Sequence, residues 1–308
     1  MLEELAAPPP DRSTAVAIGV FDGVHLGHQA LFRRTIEEAR RRGLDSAVVT
    51  FRNHPLTVLS PTFQPRYLMD LETRLQAIAS FGIDHTVAIN FTREVSRLRA
   101  REFVEQLSIR LNMKALVCGQ DFALGKNREG DVPTLTGLGG DYGYEVICQD
   151  VIRNGELTVS STAIRNALSE GNVELAMGLM GRPFRVSGPV VVGDKRGRLL
   201  GFPTANVEVP RDRALLADGI YATRAIVQNR PLDSITYVGS RPTFDGEKRA
   251  TEVYIFDFDQ DIYGQHVGVD FLAQVRGDMR FSGAQELIDQ MNLDVAMARK
   301  ALSASVSP

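Results

Sequence analysis

The sequence predicts an α/β plus β protein, in which an N-terminal parallel sheet with helices precedes a small antiparallel β-barrel and a long C-terminal helix. Between Thr14 and about Asp150, short β-type apolar runs alternate with longer amphipathic segments, which is typical of a parallel sheet with crossover helices. Beyond Arg182, short β-type runs are separated by Gly, Pro and Asp residues, which favours a small barrel. The 308 residues exceed the size at which one hydrophobic core usually stops growing, so two domains are expected.

Five strands and one well-defined helix are predicted in the N-terminal half. The helix runs from Gly27 to Arg42, because apolar residues recur every three or four positions and Gly43 follows as a stop. The strands are predicted at Val16–Phe21, Ser46–Phe51, His85–Asn90, Ala115–Cys118 and Glu145–Gln149. This alternation indicates a Rossmann-like domain.

Two short helices are predicted in the middle of the chain and one long helix at its end. The stretches SSTAIRNALSEG and NVELAMGLMG begin with capping residues and end with glycines, so they close the first domain. The last helix is predicted from Ser282 to Leu302, where S-x-x-Q forms a capping box and apolar residues recur at helical intervals. The predicted domain organisation is a disordered or poorly ordered tail over 1–13, a first domain over 14–181 and a second over 182–308.

Composition and charge restrict the classes of function. Hydrophobic residues make up 44% and charged residues 24%, as in an ordinary globular protein. The net charge of −3 gives no general positive field, so neither a nucleic acid nor a membrane is expected as a partner. No secretory signal or membrane-spanning run is recognisable, so a cytoplasmic location is expected. Cys118 and Cys148 lie in apolar runs and are interpreted as buried, reduced thiols.

The segment AIGVFDGVHLGHQ, from Ala17 to Gln29, is the first candidate site. It combines the end of a strand, glycines at 19, 23 and 27, and two histidines at the start of the predicted helix. Glycines allow backbone to approach phosphate closely, and amides at a helix N-terminus favour anions. His25 and His28 can direct ring N–H groups at one triphosphate and stabilise charge on departing pyrophosphate. The pattern favours nucleotide binding over an incidental histidine pair.

This segment resembles the HxGH nucleotidyltransferase superfamily, and specifically the N-terminal module of bacterial bifunctional riboflavin kinase/FAD synthetases. Further segments match that family at TFRNHP (Thr50–Pro55), GQDFALGKNREGD (Gly119–Asp131) and VSSTAIR (Val159–Arg165). The sequence departs from the family at Ala163, where many relatives carry a second arginine, and at Leu124, which replaces the usual aromatic residue.

The resemblance implies that the N-terminal half transfers an adenylyl group from ATP to FMN, giving FAD and pyrophosphate. His25 and His28 are then the candidate catalytic residues. The implied ATP-binding residues are Gly19, Phe21, Asp22, Gly23, His25, Gly27, His28, Ser161, Thr162 and Arg165. The implied flavin and nucleotide loop consists of Asn53, His54, Gly119, Asp121 and Phe122. No acidic cluster in this half suggests a metal cage, so Mg²⁺ is expected to arrive with the nucleotide.

A second motif, VVVGDKRGRLLGFPTANVEVP, spans Val190–Pro210. Local evidence alone favours a turn-rich hairpin with a solvated basic tip. The G-x-x-x-G-R-x-x-G-F-P-T-A-N string within it resembles the defining motif of riboflavin kinases. By this resemblance, the kinase ATP site consists of Gly193, Lys195, Gly197, Arg198, Gly201, Pro203, Thr204 and Asn206. Thr204 and Asn206 are implied ligands of Mg²⁺-ATP, in keeping with the oxygen ligands that Mg²⁺ prefers.

Other segments of the C-terminal half also resemble riboflavin kinases. TEVYIFDF (Thr251–Phe258) matches a strand with a catalytic glutamate, which falls on Glu252, whereas the residue pattern alone suggests a solvated position. GSRPTF (Gly239–Phe244) and FLAQVRGDMRF match as well, and Arg276 and Phe281 of the latter are implied to border the flavin. The C-terminal barrel is expected to have Greek-key topology.

Together the resemblances imply a bifunctional enzyme of flavin-cofactor biosynthesis. Its substrates and products are riboflavin, FMN, FAD, ATP and ADP, with Mg²⁺ as cofactor, and the sequence leaves its oligomeric state open. One alternative is an enzyme of narrower scope, in which one half has lost catalysis and only binds flavin. Another is a nucleotide-binding regulator or RNA-binding module. An NAD-type dehydrogenase is excluded, because the glycine spacing is not G-x-G-x-x-G and no acidic residue ends the second strand.

Overall fold

The computed structural model describes residues 5, 11–193, 197, 200–243 and 246–304, without the side chains of 241–243 and 246–248. The chain divides into two compact units. The first comprises residues 1–65 and 69–160, and the second comprises 66–68 and 161–308. Within the described residues, no helix combines the length and the apolar composition needed to cross a membrane.

The first unit is built on a parallel sheet of five strands with the order β3-β2-β1-β4-β7. These strands are β1 (Thr14–Ile18), β2 (Asp45–Phe51), β3 (His85–Ile89), β4 (Met113–Gly119) and β7 (Glu145–Gln149). Two small hairpins add β5 (Ala123–Leu124), β6 (Gly130–Asp131), β8 (Arg153–Asn154) and β9 (Leu157–Thr158). The helices are α1 (Leu26–Arg42), α2 (Leu56–Leu59), α3 (Leu71–Ala79), α4 (Arg93–Arg97), α5 (Ala100–Arg110) and α6 (Val132–Tyr142).

Hydrophobic cores lie on both faces of this sheet, as the near-continuous apolar strands require. One core packs around residues such as Val16, Phe103 and Leu116, and the other around residues such as Phe32, Val48 and Ile78. The sheet and its helices confirm the predicted α/β class. Because the carboxyl ends of parallel strands meet at one edge, the loops after β1, β2 and β4 meet there.

Helix α1 forms where the sequence predicts it. The helix ends at Gly43, which adopts the left-handed conformation with φ 66° and follows three arginines in the last turn. Leu31, Phe32 and Ala39 face the core at helical spacing. The prediction for β1 is wrong at its end, because the strand stops at Ile18 and not at Phe21.

The two cysteines lie opposite each other on β4 and β7, but only Cys118 is buried. The prediction that Cys148 is buried is wrong. Strand β7 forms the edge of the sheet, so its apolar run has a neighbouring strand on one side only. Burial, followed by the neighbouring Cys148, raises the pKa of Cys118 to about 12.

The second unit begins with two helices, α7 (Ser161–Ser169) and α8 (Val173–Met180), which precede a closed barrel. The barrel has the strand order β10-β11-β14-β13-β12-β15, and all its pairings are antiparallel. Its strands are β10 (Phe184–Val191), β11 (Ala205–Val207), β12 (Gly219–Val227), β13 (Arg230–Thr243), β14 (Gly246–Ile255) and β15 (His266–Gly277). Helix α9 (Ala284–Ala304) follows and packs against the barrel through Ala298 and Leu302. This architecture confirms the predicted barrel and long C-terminal helix.

A three-residue segment of the N-terminal half, 66–68, belongs to the second unit. Tyr67 donates its backbone N–H to Asp212 and accepts from Ala214, so that it forms a parallel bridge beside Arg213. The predicted boundary between the two domains lies at 181/182 and stays a prediction. The two compact units of the structure divide at 160/161. In the predicted tail over 1–13, Leu5 packs in the first core, while residues 1–4 and 6–10 lie outside the described residues.

Candidate active sites

The loop between β1 and α1 has an unusual backbone. Phe21 has φ 53°, Gly23 has φ 80° and Val24 has φ 39°. Positive φ is easy for glycine, but it costs other residues about 1–3 kcal/mol each, and such strain gathers at functional sites. The loop is braced internally, because Val24 donates its N–H to the carbonyl of Phe21 at 3.1 Å and accepts from the Gln29 side chain at 3.0 Å.

His25 and His28 stand together at the N-terminus of α1. Their rings stack with centroids 3.5 Å apart, and His25 is 6% exposed. The backbone N–H of His28 donates to Nδ1 of His25 at 3.3 Å, so His25 caps the helix. An accepting nitrogen carries no proton, so neutral His25 carries its ring proton on Nε2. A Cβ at Gly27 would lie only 3.1 Å from the His25 ring, which explains the glycine between the histidines.

Phe21 and Asp22, which were predicted to contact ATP, are buried and shape the loop. The ring of Phe21 contacts that of His28 edge-on, with the ring centroids 5.2 Å apart. The same ring lies so close to Gly19 that a side chain there would collide with it. Asp22 accepts a hydrogen bond from the backbone N–H of Met69 at 3.3 Å. With exposures of 3% and 2%, both residues are buried, and Phe21 is the one whose ring contacts His28.

The loop after β2 carries Asn53 and His54. The Asn53 amide accepts from the N–H of Phe91 and donates to its carbonyl, both at 2.9 Å, and thereby joins this loop to the end of β3. His54 is half-buried, and its ring packs near Phe63 with centroids 4.9 Å apart. Asn53 therefore holds the loop in place.

The loop after β4 carries Gly119, Asp121 and Phe122. Asp121 is exposed, and a Cβ atom added at Gly119 would lie 3.3 Å from its carboxylate. Phe122 is half-buried against the core, and Arg128 donates to the carbonyl of Asp121 at 3.0 Å. This loop is therefore ordered at the same edge of the sheet as the histidine pair.

Ser161, Thr162 and Arg165 lie in α7, which belongs to the second unit. Arg165 donates through Nε to the carbonyl of Arg66 at 2.7 Å. In the first unit, the carbonyl of Val159, two residues before α7, would lie 3.6 Å from a Cβ at Gly27. The prediction that these three residues bind ATP stays a prediction.

The second site lies in the barrel, where Thr204, Asn206 and Glu252 come together. Asn206 of β11 is directly opposite Glu252 of β14, so both side chains leave the same face. Thr204 lies two residues before Asn206 and donates its hydroxyl to Glu252 Oε2 at 3.4 Å. All three residues are half-buried. The residue pattern alone suggests a solvated position for Glu252, whereas its side chain is half-buried and accepts a hydrogen bond from Thr204.

Two glycines that precede β11 in the chain lie close to this cluster. A Cβ at Gly193 would collide with the Asn206 amide, and one at Gly197 would collide with the Phe202 carbonyl and lie 3.3 Å from the Thr204 hydroxyl. Gly201, with φ 88°, ends the turn that precedes Phe202 and Pro203. Lys195 and Arg198 lie outside the described residues.

Arg276 and Phe281 are neighbours, with the guanidinium 5.7 Å from the ring centroid. The guanidinium is held by Asp294 of α9 through three hydrogen bonds of 2.8–3.1 Å. Asp294 is 2% exposed, so this ion pair joins the last strand of the barrel to the C-terminal helix. Whether Arg276 and Phe281 border a flavin stays a prediction.

The donors around Glu252 suit a hard cation. A hydroxyl, an amide oxygen and a carboxylate are the oxygen ligands that Mg²⁺ uses together with nucleotide phosphates. Among the described residues, no group of three His, Cys, Asp or Glu could hold a metal by itself. The hydroxyl, amide and carboxylate oxygens of these residues therefore fit a Mg²⁺ ion that is also bound by phosphate.

Two residues that matter for these sites could not be singled out from sequence. Arg74 of α3 is 2% exposed and bonds to the carbonyls of Val20 and Phe51. Asp294 is the buried partner of Arg276. Both are charged residues within amphipathic helices, where a charge ordinarily indicates the solvated face.

A strand-loop-helix junction with two histidines, and a barrel with a glycine-flanked oxygen cluster, define a two-domain transferase that uses nucleotides. Comparison with known families refines this class. A model described as FAD synthetase matches residues 7–163, and one described as riboflavin kinase matches 180–302. The chain belongs to the family of bifunctional riboflavin kinase/FMN adenylyltransferases.

Curated members of that family align over nearly the whole chain. The bifunctional riboflavin kinase/FMN adenylyltransferase of Escherichia coli is 36% identical over 94% of this chain and 93% of its own. That of Listeria monocytogenes is 37% identical over 92% of this chain and 91% of its own.

A solved structure has the same fold. It is 33% identical, covers 96% of both chains and superposes with a TM-score of 0.88. It is described as "Crystal Structure of Macrolide-efflux Protein from Streptococcus pneumoniae".

Proposed function

We propose that this protein makes both flavin cofactors, phosphorylating riboflavin to FMN in its barrel and adenylylating FMN to FAD in its N-terminal unit. The observation that carries the proposal is that one chain contains two separate clusters of polar side chains, each beside glycines, in the units that the two family models match. His25 and His28 stack at a helix N-terminus, and Thr204, Asn206 and Glu252 cluster beside two close-packed glycines. The family models associate FAD synthesis with the part of the chain that contains the histidine pair, and riboflavin phosphorylation with the part that contains Glu252.

In adenylyl transfer, a phosphate oxygen of FMN attacks the α-phosphorus of ATP, and the bond to pyrophosphate breaks. The amides at the start of α1 and the ring N–H groups of the histidines stabilise the charge that moves onto pyrophosphate. His25 has its Nδ1 occupied by the His28 backbone, so its Nε2 proton is directed away from the helix cap. Asn53 fixes the neighbouring loop, and His54, Gly119, Asp121 and Phe122 are proposed to contact the flavin nucleotide.

In the kinase reaction, the 5′-hydroxyl of riboflavin attacks the γ-phosphorus of ATP, and ADP leaves. Glu252 accepts the hydroxyl proton as the new O–P bond forms. The Thr204 hydroxyl orients the Glu252 carboxylate, and Gly193 and Gly197 let backbone approach the phosphates. Lys195, Arg198, Gly201 and Pro203 complete the proposed ATP loop.

Mg²⁺ is proposed as cofactor in the kinase site, where it neutralises phosphate charge when bound. Thr204 and Asn206 would hold it from the protein side. In the adenylyltransferase unit, Mg²⁺ is proposed to arrive with ATP.

The proposal extends to the setting of the reaction. ATP is the co-substrate of both steps, and we propose a cytoplasmic enzyme without a nucleic-acid or membrane partner, in keeping with the net charge of −3. Efflux, the function named for the Streptococcus pneumoniae structure, is not proposed for this chain, because both family models and the relatives described above agree on flavin chemistry.

Product analysis by chromatography tests the proposal. The purified chain is incubated with riboflavin, ATP and Mg²⁺, and in a parallel reaction with FMN in place of riboflavin. We expect transient FMN followed by FAD in the first reaction, and FAD in the second. FMN without FAD would reduce the N-terminal unit to a binding domain, and the absence of any product would contradict both assignments.

A further inference from the structure

Arg74 is a buried cation that joins two loops of the candidate adenylyltransferase site. It lies on α3, and only 2% of its surface is exposed. Its Nη1 donates to the carbonyl oxygen of Val20 at 2.9 Å, and its Nη2 donates to that of Phe51 at 2.5 Å. Val20 lies in the loop between β1 and α1, and Phe51 is the last residue of β2, directly before the loop with Asn53 and His54.

The bond to Val20 acts on the strained loop. The carbonyl of Val20 belongs to the peptide that joins it to Phe21, whose φ is 53°. Because a carbonyl moves with its peptide plane, fixing the oxygen fixes the plane from which the left-handed turn begins. The Thr50 hydroxyl donates to the same oxygen at 3.1 Å, so two donors hold it.

The bond to Phe51 acts on the neighbouring loop. That carbonyl lies in the peptide between Phe51 and Arg52, and Asn53 and His54 follow directly. Arg52 donates its own N–H to the carbonyl of Ile89 at 2.8 Å, and so the loop is held from both sides at its start. One guanidinium thus links the loop with the histidine pair to the loop with His54.

Arginine suits this role better than lysine does. A guanidinium is planar and offers N–H donors in a fixed fork, so Nη1 and Nη2 reach two carbonyls at once. An ammonium on a flexible stem holds both carbonyls less rigidly.

We propose that Arg74 is a positioning residue for adenylyl transfer. By fixing the Val20 and Phe51 carbonyls, it sets the positions of His25 and His28 relative to the loop that carries His54. It acts through backbone and does not itself contact substrate. This inference rests on the proposed adenylyltransferase function.

The test compares Arg74→Lys with Ile78→Ala. Ile78 lies on the same helix and is 0% exposed in the core, but it makes no bond to either loop carbonyl. Steady-state rates of FAD formation from FMN and ATP are measured together with melting temperature and riboflavin phosphorylation. We expect Arg74→Lys to lower kcat for FAD about tenfold or more while KM for ATP changes less than about threefold, since small misplacements cost this much.

The control separates positioning from stability. We expect Ile78→Ala to lower the melting temperature at least as much as Arg74→Lys does, yet to keep a kcat near that of the wild type. We also expect the ring signals of His25 and His28 in NMR spectra to shift in Arg74→Lys but not in Ile78→Ala. Arg74→Met, which removes both bonds, should lose more activity than Arg74→Lys.

The outcomes are distinguishable from a failure of the proposed function. If the wild type forms no FAD from FMN and ATP, the proposed function fails before Arg74 is tested. If the wild type is active and Arg74→Lys keeps its kcat, or if both variants lose kcat in proportion to their melting temperatures, Arg74 has only a structural role and the inference is wrong.

Discussion

The Thr204 hydroxyl donates to the Glu252 carboxylate at 3.4 Å, although the two residues are 48 positions apart in the chain. The contact exists because β11 pairs with β14 and places Asn206 directly opposite Glu252. The proposed metal-side ligands and the proposed proton acceptor therefore share one face of the barrel. Under the proposed function, this proximity would place the carboxylate beside the hydroxyl that attacks the nucleotide.

Glu252→Gln is expected to abolish most riboflavin phosphorylation. The amide keeps the shape of the side chain but cannot accept the hydroxyl proton, so the loss should be at least about 100-fold. FAD formation from supplied FMN should remain, as measured by chromatography. Asp257→Asn is the matched control, because Asp257 lies close by in sequence but pairs with Arg299. Equal loss of both activities in Glu252→Gln would contradict the assignment.

His28→Ala is expected to impair FAD formation and not riboflavin phosphorylation. Removal of one donor to the departing pyrophosphate should lower FAD formation by about 100-fold or more and spare riboflavin phosphorylation. The control is His85→Ala, since His85 pairs with Asp45 at the amino end of β3 and should leave FAD formation near the wild-type rate. A similar loss in both variants would show that the effect is not specific to the histidine pair.

Gly197→Ala is expected to weaken the kinase through ATP binding. The added methyl group would collide with the Phe202 carbonyl and crowd the Thr204 hydroxyl. Overpacking of this kind costs about 1–3 kcal/mol, so KM for ATP should rise roughly tenfold or more. Gly283→Ala, where a Cβ meets no atom within 4 Å, should behave like the wild type. An unchanged KM for ATP in Gly197→Ala would overturn this prediction.

Alkylation should distinguish the two cysteines. Burial raises the pKa of Cys118 to about 12, so at pH 8 it remains a protonated, shielded thiol, whereas Cys148 is exposed. Iodoacetamide should add one group to the native chain and two to the unfolded chain, as read by mass spectrometry. The native Cys148→Ser variant should take up none. Rapid labelling of Cys118 in that variant would contradict its burial.

Much of the fold could be predicted because its signals are local. Short apolar runs bounded by turn residues locate the strands of both units, and helical spacing with a glycine stop locates α1. The end of β1 was missed because the left-handed backbone of Phe21 depends on the packing of its ring against His28 and Phe32. The exposure of Cys148 was missed because a sequence does not say which strand lies at the edge of a sheet.

The candidate sites were predictable only in part. The histidine pair could be located because it coincides with glycines and a helix start, which act together within a dozen residues. Glu252 became a candidate only through family resemblance, because its contact with Thr204 depends on long-range strand pairing. Arg74 had no local signal at all, since its partners are backbone carbonyls that any residue would supply.

The chain passes between its two compact units three times, at 65/66, 68/69 and 160/161. Tyr67 thus supplies backbone partners to the unit that otherwise begins at Ser161. A gene divided at the end of the first unit would yield a C-terminal product that lacks these partners, and its Arg165 would lose the carbonyl of Arg66. Separation of the two activities into independent proteins would therefore require compensating changes around residues 211–214, beyond a new stop and start codon.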